Sequence, residues 1–182
     1  HLLADGGQQH APSHKDMNPL AQVPVLKHGE LTMSQSVPIM IYLEEACPSP
    51  AVLPRDGRAR YHALEIAESI NAGTQPLQNL EVMQRLQKDF GLEKADARRF
   101  ASTYIQRGLA ATEKLIRKTR GTYSVGDEFS IADACLIPQL YNARRFEVSM
   151  EAFPVLLEVE EALEKIERLH SAHPDRQPDA AL

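Results

Sequence analysis

The sequence predicts a small α/β segment followed by an all-helical domain. Three observations carry that prediction. Strand-forming residues flank a glycine turn between Val23 and Thr32. The stretch Cys47-Pro-Ser-Pro-Ala-Val-Leu-Pro54 holds three prolines in eight residues and reads as a linker. Beyond Arg55, apolar residues recur at helical spacing almost to the C-terminus. The expected division is residues 1–46, an α/β domain, 47–55, a linker, and 56–182, an all-helical domain.

Each element has its own signal. Val23, Val25 and Leu31 are strand formers, and His28-Gly29 between them supplies a tight turn. Ser36 to Glu45 reads as a helix with Ser36 as N-cap, and Pro38 is tolerated in a first turn whose N–H groups lack partners anyway. From Arg58 to about Phe90, Leu64, Ile66, Ile70, Leu77, Leu80, Met83 and Leu86 keep helical intervals, with a break or kink expected just before Pro76. Lys94 to Lys118 carries a stripe through Phe100, Tyr104, Ile105, Leu109, Leu115 and Ile116, stopped by Gly121. Ser130-Ile-Ala-Asp133 has the spacing of a capping box and starts a helix through Cys135, Leu136, Ile137 and Leu140, kinked at Pro138. Leu156, Val159, Leu163, Ile166 and Leu169 mark one more helix before a polar, proline-rich tail.

Composition narrows the class. With 182 residues, 43% hydrophobic and 25% charged, the chain can build a core, which excludes collagen-like and disordered readings. No apolar run approaches the ~18 residues that span a bilayer. A net charge of −5 without a basic cluster disfavours nucleic acid as a partner. Two cysteines, Cys47 and Cys135, are too few for a disulfide scaffold and fit a reducing compartment. The seven histidines lack metal-ligand spacing. One hairpin and one helix bury too little to stand alone. With His1 in place of Met, the chain is expected to begin inside a longer one.

Two motifs then acquire a shared meaning. Asn18-Pro-Leu-Ala-Gln22-Val23-Pro24-Val-Leu, with Gln35-Ser36 heading a helix, resembles the glutathione-binding half of glutathione transferases. Asp5-Gly-Gly-Gln-Gln9, Gln75-Pro-Leu-Gln-Asn79-Leu, Val125-Gly-Asp-Glu, Asn142-Ala-Arg-Arg145-Phe and His173-Pro-Asp-Arg-Gln-Pro-Asp resemble the zeta class, the maleylacetoacetate isomerases, with maleylpyruvate isomerases as close relatives. The resemblance implies a glutathione-transferase fold, α/β plus all-α, with a thioredoxin-like N-terminal domain that is incomplete here. His1-Leu-Leu aligns with the end of the second strand. The family's first strand, first helix and Ser-Ser-Cys-type motif have no counterpart. Its thiolate-holding serine is therefore expected upstream of His1, and no residue of this chain is assigned as catalytic.

The resemblance implies a role for each candidate, and each has a plainer alternative. A cis Val23–Pro24 bond would turn the Val23 backbone outward to pair with the cysteinyl unit of glutathione, as an added strand. The alternative is a trans edge-strand proline. Ser36 and Gln35 would hold the γ-glutamyl head at a helix N-terminus, where N–H groups and the dipole attract a carboxylate. Alternatively Ser36 only caps its helix. Gln9 resembles a contact near the glycyl end, or is an ordinary loop residue. Gln75, Asn79, Leu80 and Glu81 flank the Pro76 break, with Gln75 and Asn79 four apart and on one face if the helix re-forms, or they belong to a solvated kink. Arg145 would clamp a substrate carboxylate through its planar fork. Arg144 better fits a surface ion pair. Cys135 reads as a buried small hydrophobe.

The implied activity is glutathione-dependent cis–trans isomerisation of maleylacetoacetate to fumarylacetoacetate, in aromatic amino-acid degradation, by a cytoplasmic homodimer. Glutathione is the implied cofactor and a small dicarboxylate the substrate, without metal, nucleic acid or membrane. Because the thiolate-holding serine is expected upstream, the 182-residue chain by itself is expected to be weak or inactive. Maleylpyruvate isomerase, general transferase or peroxidase, and a non-catalytic scaffold are the alternatives.

Overall fold

In the computed structural model, which describes residues 6–178 and 180, strands β1 (Val25–His28) and β2 (Leu31–Ser34) pair antiparallel. The register runs from Val25 opposite Ser34 to His28 opposite Leu31, so the turn is Gly29-Glu30 rather than His28-Gly29. Gly29 takes φ 60°, which a glycine adopts without a Cβ clash, and His28 is left free to extend the strand. Ahead of the hairpin lie a short 3₁₀ turn at Gln8–His10 and helix α1 (Pro12–Met17), started by Pro12. Helix α2 (Ser36–Ala46) follows β2 and buries Val37 and Ile39. His28 Nδ1 and the Tyr42 hydroxyl, 2.7 Å apart, tie β1 to α2. The expected strand end at His1-Leu-Leu, together with Asp5 and Asp179 of the quoted motifs, lies outside the described residues.

The chain divides into two units, His1–Val52 and Leu53–Leu182. In the second, α3 (Gly57–Asn71), α5 (Lys94–Thr119) and α6 (Ile131–Arg145) form the core. Ala63, Ile66 and Ala67 of α3, Ile105, Leu109 and Ile116 of α5, and Ile131, Leu136 and Leu140 of α6 are wholly inaccessible. Each large aliphatic side chain so buried contributes about 1.5–3 kcal/mol. Cys135 is buried on the same helix, as a small hydrophobe.

Helix α3 ends at Asn71, earlier than a break at Pro76 requires, because Gly73 follows and its N–H turns back to the Glu68 carbonyl at 3.3 Å. A 3₁₀ turn over Gln75–Gln78 then leads into α4 (Leu80–Lys88). The capping box forms: Asp133 Oδ2 accepts the Ser130 N–H at 2.8 Å, and Oδ1 accepts the Ser124 N–H at 2.9 Å, which fastens the preceding loop. Helix α6 continues through Pro138 to Arg145.

The single C-terminal helix expected from periodicity is two, α7 (Pro154–Leu163) and α8 (Glu167–Ala172). Ile166 between them is extended (φ −86°, ψ 104°), and His170 Nε2 bonds the Glu164 carbonyl at the break. The N–H groups of Val155 and Leu156 at the start of α7 are met by Glu113 of α5, at 3.3 and 3.0 Å. Side-chain oxygens commonly satisfy such helix ends, but here the accepting carboxylate lies on another helix.

Candidate functional site

The first unit carries its own set of candidate residues. The Val23–Pro24 bond is cis and Val23 is 56% exposed. Neither its N–H nor its C=O meets a hydrogen-bond partner among the described residues. The hairpin ladder ends at the pair Val25–Ser34, so Val23 lies just before β1 and Ser36 just after β2.

Ser36 is the first helical residue, and the N-cap is Gln35 rather than Ser36. The correction has a physical cause. Gln35 takes φ 75° and ψ 122°, a conformation costly for a residue with a Cβ, and thereby reverses the chain directly into the helix. The Ile39 N–H bonds the Gln35 carbonyl at 3.0 Å, which leaves the N–H groups of Ser36 and Val37 without acceptors among the described residues. The Ser36 hydroxyl, half-buried, caps nothing. Two N–H donors, a hydroxyl and the positive end of an eleven-residue helix suit a carboxylate. Gln9 is half-buried in the turn Gln8–His10, its Nε2 3.3 Å from His10 Nε2.

The second unit carries a separate set of candidate residues. Gln75 opens the 3₁₀ turn and is exposed, while Asn79 is the N-cap of α4, its Oδ1 accepting the Glu81 N–H at 3.1 Å. The two amides therefore do not share an α-helical face. Pro76 and the extended Asn79 (φ −62°, ψ 146°) restart the helix between them. Leu80 is half-buried, and Glu81 accepts from Arg85 at 3.1 Å.

The paired arginines at the end of α6 separate clearly. Arg144 donates to both oxygens of Glu160, at 2.6 and 2.6 Å, and this hydrogen-bonded partner holds its guanidinium above the usual range. Arg145 is exposed and has no carboxylate partner among the described residues; its Nη1 donates to Asn142 Oδ1 at 3.5 Å. One turn earlier, the Tyr141 hydroxyl donates to Asp175 Oδ1 at 2.8 Å. That bond raises the phenol above its ordinary value, burial and the Asp175 charge add to the rise, and the Arg145 charge opposes it. His173 packs edge-on against Tyr141, 5.4 Å between ring centroids, so the tail motif is seated beside α6.

Gln78 escaped the sequence reading. It is 5% exposed and donates to Gln139 Oε1 at 2.5 Å. Its position inside the quoted Gln75–Leu80 motif was the available signal. Asn18, 2% exposed and inside the first motif, escaped in the same way.

An open sheet edge and a helix N-terminus on a small α/β unit, ahead of a helical domain, define the class: a glutathione transferase fold. The family model for the glutathione S-transferase N-terminal domain matches residues 2–45, and that for its C-terminal domain matches residues 81–171. The chain is 43% identical over 178 residues to a probable maleylacetoacetate isomerase of Drosophila melanogaster, covering 98% of this chain and 76% of that protein. A maleylacetoacetate isomerase structure from Anaeromyxobacter dehalogenans with bound GSH superimposes with a TM-score of 0.83 at 43% identity, covering 92% of this chain and 78% of that one. A maleyl pyruvate isomerase structure, described as a bacterial glutathione S-transferase in the zeta class, gives 0.90 at 34% identity, covering 94% and 82%. The chain belongs to the glutathione S-transferase family, in its zeta class.

Proposed function

We propose that this chain holds glutathione and a maleyl dicarboxylate for glutathione-dependent cis–trans isomerisation, converting maleylacetoacetate to fumarylacetoacetate. The observation that carries the reading is a cis Val23–Pro24 bond that leaves the exposed Val23 backbone unpaired, in the same unit as the open N-terminus of α2 at Ser36, which fits a peptide ending in an α-amino acid head. Bound glutathione supplies reversible thiolate addition to the maleyl double bond, which makes that bond single and free to rotate. Val23 pairs with the cysteinyl backbone and fixes where the sulfur sits. Ser36 and the first turn of α2 hold the γ-glutamyl carboxylate, Gln35 the head group, and Gln9 the glycyl end. The resemblance to the zeta class gives Gln75, Asn79, Leu80 and Glu81 as further glutathione contacts. Arg145 grips a substrate carboxylate and meets the negative charge that develops on addition. The same reading makes the protein a cytoplasmic homodimer.

The test is turnover by the protein expressed from its complete reading frame. Maleylacetoacetate with glutathione should be isomerised faster than maleylpyruvate, and faster than 1-chloro-2,4-dinitrobenzene is conjugated or a hydroperoxide reduced. Higher turnover of either electrophile replaces the isomerase reading with a general transferase or peroxidase. Absence of glutathione binding up to millimolar concentrations leaves a non-catalytic scaffold.

A further inference from the structure

The Val23 N–H is aimed by a peptide plane whose other end is clamped. The Gln22 carbonyl accepts from Asn18 Nδ2 at 2.8 Å and lies 3.0 Å from His14 Nε2. A carbonyl oxygen can only accept, so Nε2 of His14 carries the hydrogen. Asn18 is itself fully engaged. Its N–H bonds the His14 carbonyl at 2.8 Å, its C=O accepts the Ala21 N–H at 2.9 Å, and its Oδ1 accepts the Leu20 N–H at 3.1 Å. Ala21 is held at φ 53° within this closed loop. A buried amide with every group paired has one orientation available.

The Gln22–Val23 peptide is planar and trans, so its C=O and N–H point in opposite directions. Two donors that hold the carbonyl toward α1 thereby turn the Val23 N–H away from α1, to the open edge. We propose that Asn18 and His14 are positioning residues for the glutathione site: by clamping the Gln22 carbonyl they fix the direction in which the Val23 N–H meets the ligand's cysteinyl unit. The proposal rests on the glutathione reading. It adds that the edge is preorganised by side chains that touch no ligand, so ordering entropy is spent in folding rather than in binding.

The experiment uses the protein from its complete reading frame, with glutathione as the probe. Its Kd is measured by calorimetry, and exchange of the Val23 and Ser36 amides by NMR with and without glutathione. Asn18→Asp, close in shape but lacking the amide donor, and His14→Leu should each raise the Kd about three- to tenfold, the worth of one such hydrogen bond. Both should reduce glutathione-induced protection of the Val23 amide and leave that of Ser36 intact. His14→Gln, whose side-chain N–H can reach the same carbonyl, should restore the Kd and the protection. If Asn18→Asp does not fold, the His14 pair decides by the same readings. Equal loss of protection at Val23 and Ser36 overturns the proposal, because a general loosening would act on both. A wild-type Kd in folded variants with Val23 still protected overturns it too, while the glutathione reading stands. No effect of glutathione on the unsubstituted protein overturns the glutathione reading itself, and this proposal with it.

Discussion

Asn142 Nδ2 donates to Gln78 Oε1 at 2.5 Å, joining residues 64 positions apart in the chain. Gln139 and Gln78 are 3% and 5% exposed and share a second amide bond, while Asn142 Oδ1 accepts from Arg145. The cluster links the turn that carries Gln75 to the helix end that carries Arg145. Gln78→Leu keeps the volume but leaves Gln139 and Asn142 short of partners. A stability loss of about 1–3 kcal/mol is expected in urea unfolding with unchanged m-value, accompanied by a higher KM for the maleyl substrate.

Neighbouring arginines should behave differently. Arg144→Ala removes a bidentate pair with a half-exposed guanidinium, so a stability loss of about 1 kcal/mol or less is expected, with kcat and KM unchanged. Arg145→Ala should leave the melting temperature in place and raise the KM for the maleyl substrate about tenfold or more, because a charge-assisted contact is worth about 1.5–3 kcal/mol. Steady-state kinetics and a thermal melt on both variants check the pair of outcomes.

Gly108 lies within α5, where alanine normally favours the helix by about 1 kcal/mol. A Cβ there would sit 2.2 Å from Thr74 Oγ1 and 2.9 Å from Thr74 Cβ. Thr74 is 2% exposed and begins the 3₁₀ turn at Gln75. Gly108→Ala should therefore destabilise by about 1–3 kcal/mol, the usual range for an overpacked site, as read by denaturant unfolding.

Burial, and secondarily the Glu68 charge, push the Cys135 thiol up to about 12. Cys47 is exposed. Ellman's reagent at pH 8 should titrate one thiol rapidly in the folded protein and two after unfolding. The folded-state pKa exceeds the ordinary value, so the stabilising effect of the neutral thiol is complete below that value and fades as pH rises toward 12. In Cys135→Ala, that part of the alkaline stability loss should disappear.

Asp127 shows the opposite sign. The Thr122 N–H and hydroxyl, each 2.8 Å from Oδ1, hold its carboxyl below the usual value. A depressed pKa contributes stability above the unfolded value, lost as pH falls through the folded one. The melting-temperature gap between the protein and Asp127→Ala should be full at neutral pH and narrow below the ordinary aspartate range.

Local chemistry was legible in the residues themselves. The hairpin, the Ser130–Asp133 capping box and the long helix from Lys94 follow from propensity and spacing within a few turns of chain. The candidate edge at Val23 and the helix start at Ser36 were readable for the same reason, since the strands that relate them are adjacent in sequence. Misreadings fell where one residue's backbone decided the outcome. Gln35 at positive φ took the N-cap from Ser36, and the extended Ile166 divided the last helix.

Composition, periodicity and short motifs thus determined the element types, the two-part organisation and the choice of Val23 and Ser36 as candidates. Tertiary structure alone decided which polar side chains were committed. Arg144 is taken by Glu160 and Arg145 is not; Gln78 is locked to Gln139 and Asn142; Glu113 caps a helix 42 residues away. The physical reason is that a hydrogen bond or ion pair forms wherever two groups meet in space, whereas one-dimensional pattern reports only groups that meet along the same helix or hairpin.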